Sequence, residues 1–202
     1  MSGPNEELEK TKRDLDRMKQ EYEALWGVSW EEQEQFYSIV GMGITFWGLM
    51  ESSLIRVASK LLGTSNEKAG LVLYSIINIH VWLNILDELF SLEGRFAEYK
   101  SAFTAISAEI RRLNDTRVRL AHHFTRYDPD NPKPALRPSP YDTRIKSTKH
   151  NPLSHREILA FAQAVRTLNK QLIALDDAMS LLATSPGTPQ TPPVPPPPTD
   201  AR

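Results

Sequence analysis

Residues 117–123, with the sequence RVRLAHH, place two arginines and two histidines where an apolar helix pattern ends. Apolar residues precede this segment at intervals of three or four, which is helical spacing, at Phe96, Tyr99, Phe103, Ile106, Ile110 and Leu113. The next position of the series is Arg117, and the series resumes at Leu120. Because a charge that faces a core or an interface is costly unless it is paired, Arg117 is a candidate functional residue.

Arginine and histidine in one segment predict chemistry on a phosphate group. A guanidinium can bind a phosphate through two parallel N–H bonds and can stabilise the negative charge that grows in a transition state. A histidine changes its charge near neutral pH, so it can accept or relay a proton. Spacing alone indicates only a basic, titratable patch. The simpler interpretation is that His122 and His123 complement the dipole at a helix end.

The order Arg117, four residues, His122 resembles the motif of the HEPN superfamily of small helical bundles, many of which are RNases. In that family four to six residues separate an arginine from a histidine near the end of a helix. The resemblance covers about ten residues as motif and residues 30–183 as architecture. Val118 departs from the family pattern, which often has Asn, Asp or His after the arginine. Asn114 or Asp115 could supply a polar group instead.

The resemblance implies a metal-independent endoribonuclease that acts as a homodimer without a cofactor, in a toxin or phage-defence setting. Arg117 would hold the phosphate and His122 would transfer protons. The supporting residues would be Asn114, Arg119, His123 and Glu51. The carboxylate of Glu51 follows a long apolar run and would pair with Arg117, unless it simply faces solvent. RNA is the expected partner, and an antitoxin protein is a further candidate.

The spacing of the motif raises a geometric question. An ideal helix turns by about 100° per residue, so Arg117 and His122 point roughly 140° apart. Two arrangements would bring them together. In the first, the helix ends or bends near Leu120. In the second, two copies meet so that both motifs line one cleft, which is what the resemblance implies and what a two-fold interface permits.

The stretch that follows the motif, residues 126–153, is rich in proline and basic residues, and it predicts a long loop. Basic residues of this loop are candidates for RNA binding: Arg126, Lys133, Arg137, Arg144, Lys146 and Lys149. Tyr127 and Tyr141 could stack on bases. A charged surface loop without a ligand is the alternative interpretation.

The chain as a whole predicts an all-α fold, a four-helix up-down bundle of HEPN type preceded by an N-terminal amphipathic helix. The expected parts are residues 1–28 for that helix, 29–184 for the bundle domain and 185–202 for a disordered proline-rich tail. Predicted helices cover about residues 5–26, 30–62 and 65–92, then the motif helix and one after Ser154. Ser29, Thr64 and Ser154 each precede a glutamate by three residues, which predicts capping boxes. Glycines 41, 43 and 48 predict close approach of a neighbouring helix.

Composition limits the function classes. The net charge is −1, so a nucleic-acid site must come from a local basic cluster. The chain has no cysteine, and no metal-ligand spacing surrounds His80, which predicts a hydrogen-bonded core histidine. The apolar run Phe36–Met50 is too short to span a bilayer, and no secretory signal is visible, so we predict a cytoplasmic protein without a membrane partner.

A non-catalytic helical module that binds RNA or a partner protein is the alternative function.

Overall fold

The computed structural model describes residues 4–128, 131–138 and 152–184, which are mostly helical. Its elements are α1 (Pro4–Trp26), α2 (Trp30–Leu61), α3 (Asn66–Tyr74), α4 (Ile79–Leu92), a 3₁₀ turn (Gly94–Tyr99), α5 (Lys100–His122), β1 (Phe124–Asp128), β2 (Asn131–Arg137) and α6 (His155–Thr184). The predicted all-α character is confirmed at the level of helix content. The proline-rich tail predicted for residues 185–202 lies outside the described residues.

The first two helix boundaries follow the sequence signals. Gly27 has a left-handed backbone (φ 66°) and ends α1, and Gly63 (φ 59°) does the same after α2. Ser29 begins α2, because its Oγ accepts the N–H of Glu32 at 3.2 Å. The cap of α3 is Ser65 and not the predicted Thr64. Ser65 has the extended backbone that a capping residue needs and accepts the N–H of Lys68.

The start of α6 is a capping box, as predicted. The N–H and the hydroxyl of Ser154 both donate to Glu157 Oε2, at 2.9 and 2.6 Å, and the N–H of Glu157 donates to Ser154 Oγ at 3.3 Å. The hydroxyl bond from Ser154, then its N–H, lower the pKa of Glu157 below its ordinary value of 4.5, and the charge of Arg119 adds to the shift. The first turn of α6 therefore depends on an ionised Glu157.

We expect Glu157→Ala to destabilise the fold by about 1 kcal/mol at neutral pH, the usual contribution of a helix cap. The folded pKa of Glu157 lies below its unfolded value. The stabilisation is therefore fully present above the unfolded pKa and is lost as the pH falls through the folded pKa. Urea unfolding at a series of pH values should show the stabilities of the two proteins converging as the pH falls through the folded pKa of Glu157. Glu88→Ala, at an exposed position of α4, is the control. An equal deficit at acid and neutral pH would contradict the assignment.

The predicted single helix over residues 65–92 is wrong, because the chain breaks at residues 75–78 between α3 and α4. The Asn78 side chain accepts the N–H of His80 at 2.9 Å and so caps α4. The indole N–H of Trp82 donates to the carbonyl of Ile76 at 2.8 Å. These bonds satisfy backbone groups that a continuous helix would have paired internally. Apolar periodicity runs through the break and hides it.

The predicted loop over residues 126–153 is partly wrong, because its first part belongs to an antiparallel hairpin. Phe124 of β1 lies opposite Arg137 of β2. Leu136 then exchanges two backbone hydrogen bonds with Leu153, at 3.1 and 2.8 Å. Both leucines are buried in the core. Prolines interrupt the alternation that would mark a strand, and proline is tolerated where a strand lies at a sheet edge.

The core has α2 packed along α6, with α3, α4 and α5 around the pair. The rings of Trp47 and Phe161 stack with centroids 6.0 Å apart. A Cβ at Gly43 would lie 3.3 Å from the Phe161 ring and 3.4 Å from Leu120. Gly43 therefore permits the close approach that the sequence predicts. The same prediction is wrong for glycines 41 and 48, where an added Cβ would meet nothing within 4 Å.

A buried carboxylate ties α2 to α6 further along the same contact. Asp176 is buried and contacts the ammonium of Lys60, while Arg56 Nε lies 3.4 Å from its other oxygen. Ser53 Oγ donates to Asn169 Oδ1 at 2.7 Å. Because a buried charge is tolerated when it is paired, this group fixes the register between the two helices.

Within the described residues, α2 is the one helix with the length and apolar composition of a membrane span. Core helices of soluble proteins have the same properties, and α2 packs along α6 in the common core. The cytoplasmic location and the lack of a membrane partner remain predictions.

The N-terminal helix α1 forms as predicted, but its apolar stripe does not pack on the rest of the described chain. Leu8, Leu15, Met18 and Leu25 are exposed. The contacts of α1 lie near its C-terminal end, where the N–H of Trp30 donates to Glu23 at 2.7 Å and the Tyr22 ring meets the Trp30 ring edge-on. The expected one-sided packing is therefore limited to the last turns of α1.

Candidate functional site

The helix α5 is continuous through His122, its last residue, so it ends two residues after Leu120 and is not interrupted between Arg117 and His122. The N–H of His123 still bonds to the carbonyl of Arg119 at 2.8 Å, and the backbone becomes extended at His123. Leu120 is buried beside Gly43 of α2, which holds this last turn in the core. Within one chain, Arg117 and His122 therefore lie on different sides of α5, roughly 140° apart.

The two proposed catalytic side chains have different environments. Arg117 is half-buried between Leu113 and Leu120, which are both buried. The residue Arg117 therefore lies at the edge of the core. His122 is exposed at the last position of α5, and Val118 between them is also exposed. A substrate could reach both groups, although from different directions.

Asn114 belongs to a set of hydrogen-bonded side chains between α4 and α5, which we call the α4–α5 polar cluster: His80, Asn84, Arg111 and Asn114. The guanidinium of Arg111 donates to Asn84 Oδ1 at 2.7 Å and lies 3.3 Å from His80 Nδ1. The Asn114 amide lies 3.3 Å from His80 Nε2. The proposed supporting residue Asn114 therefore contacts His80.

The partners of His80 determine its tautomer. A guanidinium can only donate, so His80 Nδ1 must accept and Nε2 must carry the proton. The Asn114 atom beside Nε2 is the amide nitrogen, so this tautomer requires the amide to be turned so that its oxygen accepts the N–H of Nε2. His80 is hydrogen-bonded, as predicted, but it is half-buried at a helix interface and not in the apolar core.

The carboxylate of Glu51 accepts the indole N–H of Trp47 at 2.7 Å, one turn earlier on α2. This bond satisfies the indole of a residue that is itself buried. The proposed pairing of Glu51 with Arg117 is not among the contacts of the described residues, and the half-buried carboxylate acts on its own helix.

A second group of basic residues surrounds the start of α6. A cavity of about 630 Å³ lies there, lined by Glu32, Gln35, Pro134, Ala135, Arg137, Pro152, Ser154, His155 and Arg156. Arg119 of the motif acts electrostatically on Glu157 in the same turn of α6. The structure therefore brings two proposed site residues, Arg119 and Arg137, to the same end of α6.

The sequence analysis did not single out three polar residues of these groups. Arg111 lies one turn before Asn114 on α5, and its i,i+3 spacing from Asn114 was the available signal. His155 and Arg156 open α6 directly after the capping serine. Sequence spacing marks them only as the start of a helix, because their neighbours in β2 are distant in sequence.

The remaining RNA-binding candidates are only partly within the described residues. Arg126 lies on β1 and Lys133 on β2, with backbone positions alone described. Arg144, Lys146 and Lys149 fall in residues 139–151, outside the described residues. Of the predicted basic loop, Arg137 is thus the residue whose surroundings are defined.

No set of three or more metal-ligating side chains occurs within residues 4–128, 131–138 and 152–184. Comparison with models of protein families, with curated proteins and with solved structures finds no match to this chain.

Proposed function

We propose that the protein is a metal-independent endoribonuclease of HEPN type that acts as a homodimer, with α2, α4, α5 and α6 as a four-helix up-down bundle. One observation carries the proposal. A chain with a net charge of −1 concentrates arginine and histidine at the end of α5 and the start of α6. That end of the molecule is suited to a polyanion, although the chain as a whole is not.

The basic residues divide into two groups with different roles. Arg117 and His122 act on the scissile phosphate. Arg137 and Arg156 line the cavity at the start of α6. They bind backbone phosphates on either side of the scissile phosphate. Arginine suits this role because its planar N–H groups match two phosphate oxygens. Glu32 lies in the same cavity and disfavours an anion near its own carboxylate.

The cleavage step needs one base and one cation. His122 accepts the proton of a ribose 2′-OH while that oxygen attacks the adjacent phosphorus. The bond from phosphorus to the 5′-oxygen breaks, and His122 returns the proton to that oxygen. Arg117 stabilises the additional negative charge on the phosphoryl oxygens in the transition state. The products are a 2′,3′-cyclic phosphate and a 5′-OH end.

The shape of α5 supports the homodimer. Because the helix is regular through His122, the two groups of one chain cannot face the same phosphate. A two-fold axis places the motif of each copy beside the motif of the other. One composite site would then use Arg117 from one copy and His122 from the second copy.

The test is incubation of the purified protein with total RNA and with a defined tRNA in EDTA. The expected result is cleavage that leaves cyclic phosphate and 5′-OH ends, because no step uses a metal. Overproduction should also slow cell growth, and an antitoxin protein encoded nearby should relieve this. No cleavage by a folded dimer would reject the nuclease.

The alternative function is a non-catalytic module that holds RNA or a partner protein. The straight α5 and the exposed Val118 beside Arg117 favour it. Such a module should bind RNA equally well after His122→Ala and lose affinity after Arg137→Ala. A nuclease should lose turnover in the first variant, so binding and cleavage measured on the same proteins separate the two functions.

A further inference from the structure

The exposed stripe of α1 has the sequence period of a coiled coil. Leu8, Leu15 and Tyr22 repeat every seven residues, and so do Thr11, Met18 and Leu25, three positions later. Two such series together form the a and d positions of a heptad pattern. Thr11 fits this seam, because its hydroxyl bonds to the carbonyl of Glu7 at 2.9 Å and leaves its methyl group for packing.

These seam positions are largely open to solvent in the single chain. The exposed fractions are 54% for Leu8, 42% for Leu15, 57% for Met18 and 73% for Leu25. Tyr22 differs, because its ring contacts Trp30. A helix that leaves a continuous apolar stripe in water along most of its length lacks the partner that would stabilise it.

The charges beside the seam indicate which partner fits. Acidic residues occupy the g positions, at Glu7, Asp14 and Glu21, and basic residues occupy two e positions, at Lys12 and Lys19. In a parallel pair each g position lies beside the e position of the next heptad on the other helix. Glu7 then meets Lys12 of the second copy, and Asp14 meets Lys19 of the second copy.

The opposite orientation is disfavoured by the same charges. An antiparallel pair of identical helices brings g positions beside g positions, so the acidic side of one helix would face the acidic side of the other. Among the residues that the structure describes, Asp14 pairs with Arg17 at 3.7 Å, and both side chains are exposed. Exposed pairs of this kind contribute little, so Asp14 can exchange partners.

A membrane surface is a poorer match for α1 than a second copy. Acidic residues stand at positions 6, 7, 9, 14, 16, 21 and 23, and basic residues at 10, 12, 13, 17 and 19. The helix therefore has seven acidic and five basic residues, whereas helices that lie on anionic membranes carry a basic polar face.

We propose that α1 forms a parallel, two-stranded coiled coil with α1 of a second copy of this chain. The proposal names an interface beyond the proposed function and does not depend on RNA cleavage.

The first test is the oligomeric state of the full chain by sedimentation over a range of concentrations. Leu15→Glu with Met18→Glu places charges in the seam, so the dimer dissociation constant should rise by at least about 100-fold. Arg13→Gln with Gln20→Glu is the matched control, because it changes the net charge equally on the opposite side of α1. Circular dichroism confirms that both variants keep their helices.

The second test addresses orientation and uses the lack of native cysteine. Thr11→Cys should form a disulfide with itself across the dimer under mild oxidation, because a parallel pair places identical residues side by side. Gln20→Cys, on the outer side, should not. Mixing Lys12→Glu chains with Glu7→Lys chains should yield mixed dimers in preference to either pure dimer.

Three results would overturn the proposal. One is a wild-type chain that stays monomeric at every concentration, with α1 folded back on the exposed apolar residues of α2. Another is a dimer that survives the seam variant unchanged. The third is failure of Thr11→Cys to cross-link. If the dimer forms through α1 but RNA is not cleaved, this proposal stands and the nuclease is rejected.

Discussion

Replacing Arg117 by alanine is expected to lower the rate of RNA cleavage by about 100- to 1000-fold, the usual effect of removing one donor to a transition-state oxyanion. His122→Ala should lower it by about 100- to 10,000-fold, because the proton of the 2′-OH then has no base within reach. The rates are measured on one defined RNA in EDTA, with the ends of the products identified.

Arg112→Ala is the matched control for the arginine variant. Arg112 lies on the exposed side of α5 and pairs with Glu109 on the same helix at 2.5 Å. Its removal takes away one positive charge from α5 without touching the motif, so cleavage should change by less than about threefold. Equal losses in Arg112→Ala and Arg117→Ala would show that only general charge attraction is at work.

A large loss of stability is expected from Phe161→Ala, about 3–5 kcal/mol in the free energy of unfolding. The ring of Phe161 is buried, stacks on Trp47 and lies against Gly43. Because Gly43 has no side chain, it cannot fill the space that the ring leaves. Denaturation in urea, followed by far-UV circular dichroism, measures the loss.

Phe124→Ala serves as the control for the core variant. Phe124 is the same residue type but is 40% exposed at the start of β1, so its loss should cost less, about 1–2 kcal/mol. If both variants lost the same stability, the contact of α6 on α2 would not be the main packing site that the structure describes.

Much of the helical framework could be predicted from local patterns. The boundaries of α1 and α2, and the start of α6, follow from Gly27, Ser29 and Ser154, because caps and left-handed glycines act within a few residues. The break at residues 75–78 could not be predicted. It depends on Trp82 reaching back to the carbonyl of Ile76, and apolar spacing is the same with or without that contact.

The candidate site was predictable by residue type but not by contact. Asn114 and Glu51 are predicted site residues, and their side chains contact His80 and Trp47. A polar side chain takes whichever partner the packing of two helices brings near, and that packing is set by distant residues. Arg119 and Arg137 both lie near the start of α6 for the same reason.

The regularity of α5 through His122 has a consequence for mixtures of inactive chains. With the proposed composite site, Arg117→Ala and His122→Ala chains are each inactive alone, yet a mixed dimer regains one complete site of its two. Random assortment makes about half of the dimers mixed, so an equal mixture should recover about a quarter of wild-type activity. Dilution below the dissociation constant of the dimer should abolish that recovery, because each complete site needs side chains from two chains.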